Sequence, residues 1–336
     1  MKSEEEIRQI LRVTDLTDGD MTYKELRARI RAGDMTRVRH GAVVVGRLQT
    51  DRRARHLELL AGTLPVLHGE SWVLSHTTAV ALLGLPMMRD GSDSIWVNRP
   101  PGVGGHRRPQ LITRASGLVP DEIVLVDGLR VTSPERTAID MAREFGFVTG
   151  VTITDAVLAM GGRRDLLELE LERARRRHGN ATARKVVAFA DGVVESPGES
   201  MMRAMLKAEG CTPTSLQVKI HDRFGRFVAR CDFGWLEWGV VGEYDGPQKY
   251  LRDRKPGESL SDVIVREKAR EADIRDQSLE VVRFCADDLR NPKAAAARVR
   301  RLLNQRGLLP TPWTNPAPQM PQVPQDDYPW LPPWKF

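Results

Sequence analysis

Two runs of residues toward the C-terminal end, Phe227 to Phe233 and Trp235 to Asp245, constrain the fold of this chain more than any other feature. Successive side chains of a strand point to opposite faces. Phe227, Ala229, Cys231 and Phe233 therefore share an apolar face, with Val228, Arg230 and Asp232 on the other. On the second run Val241, Glu243 and Asp245 share one face. A tight hairpin turn at Glu237-Trp238 sets Asp232 opposite Glu243, and a slip in that turn moves the pairing. Carboxylates gathered in this way repel, which raises at least one pKa unless a cation intervenes. Mg²⁺ takes such oxygen ligands together with water and a phosphate oxygen. Once bound, it polarises a scissile phosphate and activates a water. Asp232, Glu243 and Asp245 are thus candidate catalytic and metal ligands for Mg or Mn. Gly246 leaves room beside them for a substrate backbone. The alternative is a set of acids facing solvent on an edge strand.

The elements around this hairpin complete a pattern. A helix opens at Ser196-Pro197-Gly198-Glu199 and carries Met202, Met205 and Leu206 inward. Leu216 to Ile220 reads as a strand, Asp262 to Gln277 as a charged helix, Leu279 to Phe284 as a strand, and Ala294 to Leu303 as a closing helix. The order α-β-β-β-α-β-α is that of the restriction-endonuclease core. Ser196-Pro197-Gly198-Glu199 also has the form of a capping box.

At the other end, Glu5 to Val13 has the apolar spacing of a short amphipathic helix, and Leu16 to Asp20 reads as a turn. Thr22 with Glu25 forms a capping box before a second helix, stopped by Gly33. Met35 to Val45 gives two β-rich arms around His40-Gly41. Helix, capped helix and basic hairpin follow the order of a winged helix-turn-helix, which lays a helix in the major groove while the hairpin grips backbone. Lys24, Arg27, Arg31, Arg37 and Arg39 are the candidate nucleic-acid contacts. The alternative is a structural subdomain with a solvated face.

Between these ends, Ser71 to Pro86 reads as a helix, Ser94 to Val97 and Leu111 to Thr113 as short strands, and Pro100 to His106 as a loop. Ser133 caps a helix with Pro134 in its first turn, and helices continue through Val157 and from Asp165 to Arg177. His76, a lone histidine near a helix start, reads as a packing and capping residue. The last stretch, Pro310 to Phe336, is rich in proline and holds Trp313, Trp330 and Trp334. Extended chain is expected there, with the tryptophans docking on the protein itself or on a partner as the alternative.

At 336 residues the chain exceeds one ordinary core. A formal charge of +6, carried largely by clustered arginine, suits a polyanion partner, although arginine-rich codon usage yields the same excess. Three widely spaced cysteines without C-x-x-C spacing, no membrane-length apolar run and no signal-peptide core lead to a cytoplasmic protein with reduced thiols.

Two resemblances sharpen these readings. Ser75 to Ala79, Leu82 to Pro86 and Val131 to Asp140 resemble phrases of AbiE-type antitoxins of type IV toxin–antitoxin systems. That resemblance implies DNA as a partner through the N-terminal domain and a nucleotidyltransferase toxin as a cognate protein. A homo-oligomer is left open beside a monomer. Asp232-Phe233, Glu243 to Gly246, Lys249-Tyr250, Arg266 to Arg275 and Val281 to Phe284 resemble the very-short-patch-repair-like branch of the PD-(D/E)xK nucleases. It makes Asp232 and Glu243 the acidic ligands and gives Glu199 a helix-acid role beside its capping role. Where that pattern has lysine, two residues after the second acid, this chain has Asp245. Lys249, Gln217, Lys219 or Lys268 then stand as substitutes, Lys249 foremost. The expected fold is an α/β multidomain chain: a winged helix-turn-helix over 1–50, an antitoxin-like mixed α+β region over 51–193, a restriction-endonuclease-like α/β domain over 194–306 and a proline-rich tail over 307–336. Two functions are consistent with it: a DNA-associated metal-dependent endonuclease, or an inactive antitoxin-like transcriptional regulator.

Overall fold

The computed structural model describes residues 9–19, 21–69, 71–102, 104–246 and 259–316. They fall into two compact units, within Met1–Ala204 and Met205–Phe336.

The first unit begins with β1 (Ile10–Arg12), α1 (Val13–Thr17), α2 (Tyr23–Ala32), β2 (Met35–Arg39) and β3 (Ala42–Val45). A helix was expected over 5–13, but Ile10 to Arg12 instead adds a strand to β3, giving the order β1-β3-β2. Ile10 packs against a core holding Val38, Val44, Leu59 and Leu60, burial that local helix propensity does not register. The Thr22–Glu25 capping box forms as read: Thr22 N donates to Glu25 Oε2 at 2.8 Å and Glu25 N to Thr22 Oγ1 at 3.3 Å. Gly33 ends α2 at φ 84°, a left-handed conformation open to glycine.

A six-stranded mixed sheet comes next, built from β4 (Val73–Leu74), β5 (Ile95–Arg99), β6 (His106–Arg108), β7 (Leu111–Ala115), β8 (Ile123–Val126) and β9 (Leu129–Thr132) in the order β6-β7-β5-β4-β9-β8. The stretch Ser71 to Pro86 is not one helix. Val73 and Leu74 pair with β5 and β9, and α4 (His76–Leu82) starts only after Ser75. Both strand residues are buried centrally, so sheet pairing wins over the helical spacing. Helices α3 (Arg52–Thr63), α5 (Pro134–Phe145), α6 (Phe147–Ala159), α7 (Arg164–Arg173) and α8 (Asn180–Phe189) complete the unit. Gly150 lets α5 and α8 close on α6: a Cβ there would lie 2.7 Å from Ala142 Cβ and 2.8 Å from Val186 Cγ2.

Helix α9 (Pro197–Ala208) leads into the second unit. There β10 (Ser215–His221), β11 (Phe227–Trp235), β12 (Val240–Asp245), α10 (Leu260–Asp276), β13 (Glu280–Cys285) and α11 (Pro292–Arg306) keep the expected order. The sheet runs β10-β11-β12-β13, antiparallel except for the β12–β13 pair. Trp235 ends β11 rather than opening the next strand, and Leu236 to Trp238 make a tight helical turn closed by Gly239 at φ 62°. The register Phe233↔Gly242, Gly234↔Val241 is the one that a hairpin centred on Glu237-Trp238 requires. Simple alternation along β11 fails, however. Phe227 is 62 % exposed, and Ala229 and Cys231 cluster with Val241, Ile274 and Leu279, whereas Phe233 meets Trp235 and Phe284. The change of face falls at Asp232, whose side-chain Oδ2 accepts from Tyr244 N at 2.7 Å.

Trp313 joins the same cluster, with its indole nitrogen donating to Gln277 O at 2.9 Å. Asn315 accepts from His221 N at 2.8 Å and donates to Lys219 O at 3.0 Å, so this segment covers backbone groups along the edge of β10. The proline-rich stretch therefore docks on its own unit up to residue 316; Trp330 and Trp334 lie outside the described residues.

Candidate functional site

The basic side chains singled out near the start divide into two environments. Lys24, Arg27 and Arg31 are exposed along α2, and Arg37 is exposed on β2. Arg39 is half-buried: its Nε and Nη1 have no contact with solvent and no hydrogen-bond partner among the described residues, and burial lowers its pKa. Arg37 also lines a groove of about 540 Å³ with Arg52, Arg55 and Arg89. Arg37, Arg55 and Arg89 are exposed and have no carboxylate ion-pair partner among the described residues. Four arginines against the single carboxylate of Asp93 leave the groove with an excess of guanidinium forks, which can take phosphates. The sequence reading missed Arg52, Arg55 and Arg89, because their convergence depends on where α3 packs.

Deeper in the unit, the Ser75–Thr78 phrase and the Ser133–Asp140 phrase hold the fold together. His56 bridges Ser92 O at 2.7 Å and Thr78 Oγ1 at 3.0 Å, and Thr78 Oγ1 accepts from Trp96 N at 2.9 Å. Burial favours the neutral form of His56. His76 is buried, bonded to Ser75 Oγ and stacked on Trp96 at 4.7 Å, in keeping with a packing role. Ser133 Oγ caps α5 by accepting from Arg136 N at 3.3 Å. The Arg136 guanidinium then meets Glu122, Asp140 Oδ2 at 2.8 Å and Glu170 Oε2 at 4.0 Å, all buried. Burial pushes the Asp140 carboxyl up, but Arg136, His76 and Arg143 outweigh it and hold it low.

In the second unit the hairpin brings the expected acids to neighbouring strands, in a setting of arginine. Glu243 is 2 % exposed; Oε1 pairs with Arg270 and also accepts from Cys231 Sγ at 3.4 Å. Arg283 lies 3.7 Å from Glu243 Oε2 and 3.2 Å from Asp245 Oδ2. It also pairs with Glu267 at 3.1 Å and Glu271 at 3.4 Å. Burial works against both arginines' charges, yet Glu243 with Glu267 on one, and Glu243 with Asp245 on the other, raise their pKa values. Burial, then Glu243, pushes the Cys231 thiol up, so it stays protonated. Glu199 belongs to the first unit, where it closes the cap of α9: Glu199 N donates to Ser196 Oγ at 3.2 Å and Glu195 N to Glu199 Oε2 at 3.2 Å. Lys249 lies outside the described residues.

These donors do not fit a divalent cation as they stand. An ion on Glu243 or Asp245 would share the carboxylate with a guanidinium group, and the Oδ2 of Asp232 already accepts a backbone N–H. Among the described residues no group of three or more His, Cys, Asp or Glu side chains is placed to hold a metal. Nor is any helix among them long and apolar enough to cross a membrane.

Against known proteins, residues 71–189 match the model of the AbiEi antitoxin C-terminal domain. This span holds both antitoxin-like phrases and the buried Arg136. The chain is also 29% identical over 296 residues to uncharacterized proteins from two Mycobacterium tuberculosis strains, CDC 1551 / Oshkosh and ATCC 25618 / H37Rv. Each alignment covers 85% of this chain and 98% of the relative.

Proposed function

We propose that this chain is an antitoxin-type DNA-binding regulator acting in the cytoplasm. The α1–α2–β2–β3 segment is its winged helix-turn-helix, and the region matching the AbiEi domain is the body that faces a nucleotidyltransferase toxin. The second unit has the element order of a restriction-endonuclease-like fold, with its acids committed to arginine. The observation that carries the reading is the exposure of Lys24, Arg27, Arg31 and Arg37, with Arg37 also lining a groove whose arginines lack carboxylate ion-pair partners among the described residues.

Phosphate contacts from these four side chains predict that log K for duplex DNA falls with log salt at a slope of about −3.6. Replacing Arg31 and Arg37 together by alanine should flatten the slope by about two. Fluorescence anisotropy between 50 and 300 mM salt, about the physiological range, measures it. Association that ignores salt, or none at the low end, refutes the reading. The nuclease alternative keeps one supporting observation, the placement of Asp232 and Glu243 on paired strands. Mg²⁺- or Mn²⁺-dependent nicking of supercoiled plasmid, lost in Asp232→Asn, would establish it in place of an inactive fold.

A further inference from the structure

The first unit holds a second cavity, about 670 Å³, lined by residues of β5, β7, α4, α5 and the turn after α7. It shares no lining residue with the basic groove. Its size is that of a small-molecule site. Four arginines line it (Arg114, Arg136, Arg143 and Arg177) against two carboxylates, Asp140 and Glu144. Arg136 and Arg143 share Asp140, and Arg114 takes Glu144. Arg177 has no carboxylate partner among the described residues, and its charge acts on Arg143 in the same sense as that of Arg136. The cavity is therefore short of negative charge at the Arg143–Arg177 end.

Asn98 supplies the second observation. It is 1 % exposed, it lines this cavity from β5, and neither its amide nitrogen nor its amide oxygen has a hydrogen-bond partner among the described residues. Buried amides are nearly always bonded, so one held with both atoms unpaired at a cavity wall points to a ligand with a matching edge. His76, which also lines the cavity, is held at φ 47°, a conformation uncommon for a non-glycine residue. A fixed donor and acceptor side by side suit the planar edge of a nucleobase, the geometry by which asparagine reads adenine. Guanidinium forks suit phosphate. Asn98 sits too deep for a duplex to reach, which leaves a small molecule.

We propose that this cavity binds a nucleoside monophosphate, with the phosphate at Arg143 and Arg177 and the base edge on the Asn98 amide. The test uses the full chain, with AMP, GMP, CMP and UMP and, separately, inorganic phosphate, read by calorimetry and thermal unfolding. At least one nucleotide should bind and raise Tm beyond what phosphate alone does. Arg177→Ala, which breaks no ion pair, should weaken it by about ten- to a hundredfold, the range for a charge-assisted hydrogen bond. Asn98→Leu should reduce nucleotide binding to the level of inorganic phosphate. It should leave the Tm of the free protein unchanged or higher, because it replaces an unpaired buried amide by an apolar group of similar size. The proposal is overturned if no nucleotide binds the wild type, if phosphate alone binds as well, or if both variants bind as the wild type does.

Discussion

Glu170 gives the most direct test of the charge arrangement around Arg136. It is 4 % exposed and lies against Glu122, which is 2 % exposed. Burial, followed by the hydrogen bond to Glu122, raises its pKa from the ordinary 4.5 to about 7. The two carboxylates thus share a proton at low pH. Below about pH 4.5 Glu170 is protonated whether the chain is folded or not, and costs nothing. Between about 4.5 and 7 the unfolded chain has released that proton while the folded one keeps it, so stability falls as pH rises. Above 7 the cost is complete: ~3 kcal/mol, at about 1.36 kcal/mol per pH unit. Glu122 works in the opposite sense. Burial raises its pKa, but hydrogen bonds from Glu170 and Val119 N and the charge of Arg136 leave it lowered, so its contribution is present at neutral pH and lost on acidification. The wild-type profile blends the two; a Glu170→Gln variant separates them. The glutamine amide can donate to Glu122 as the protonated acid does, and its oxygen can still accept from Arg173, now 2.7 Å from Glu170 Oε1. Urea denaturation at pH 5 and pH 8 should show the variant close to wild type at the lower pH and more stable by ~2–3 kcal/mol at the higher. A variant that loses stability equally at both values would refute the shared proton.

Two further outcomes are expected. Glu243→Gln leaves Arg270 and Arg283 with Glu267 as their remaining shared acid, and because both arginines are partly exposed the loss should be ~1–3 kcal/mol in chemical denaturation; a rise in wild-type Tm with Mg²⁺ that Asp232→Asn abolishes would instead place a cation among these acids. Gly179→Ala combines φ 77° with a Cβ only 2.8 Å from Arg143 Cα, so it should destabilise by at least ~2 kcal/mol, measured as a shift of the urea midpoint at unchanged slope.

Much of this fold was legible in local chemistry. Thr22–Glu25, Ser133–Pro134 and Ser196–Glu199 announce helix starts because their hydrogen bonds close within four residues. The β11–β12 register could be read because one short turn fixes it. The misreadings share a cause in distant partners. Ile10–Arg12 is a strand because β3 lies beside it, and Val73–Leu74 because β5 and β9 do. Of the acids, the sequence placed Glu243 near Asp232, but not Arg270, which reaches Glu243 from α10. Asn98 carried no signal at all: an asparagine in a strand looks ordinary until its burial and missing partners are known.

Arg136 is held by acids from three separate places: the helical turn before β8, α5 and α7. Losing it alone would strand three buried carboxylates, and losing Glu122 or Asp140 alone would leave its charge under-compensated. Single steps at Arg136, Glu122 or Asp140 are therefore costly, whereas a joint replacement by packed apolar residues need not be. In evolutionary terms the four positions form one character. Lineages that depart from it are expected to change these positions together, so covariation among Glu122, Arg136, Asp140 and Glu170 would record the constraint even where no ligand or partner preserves them.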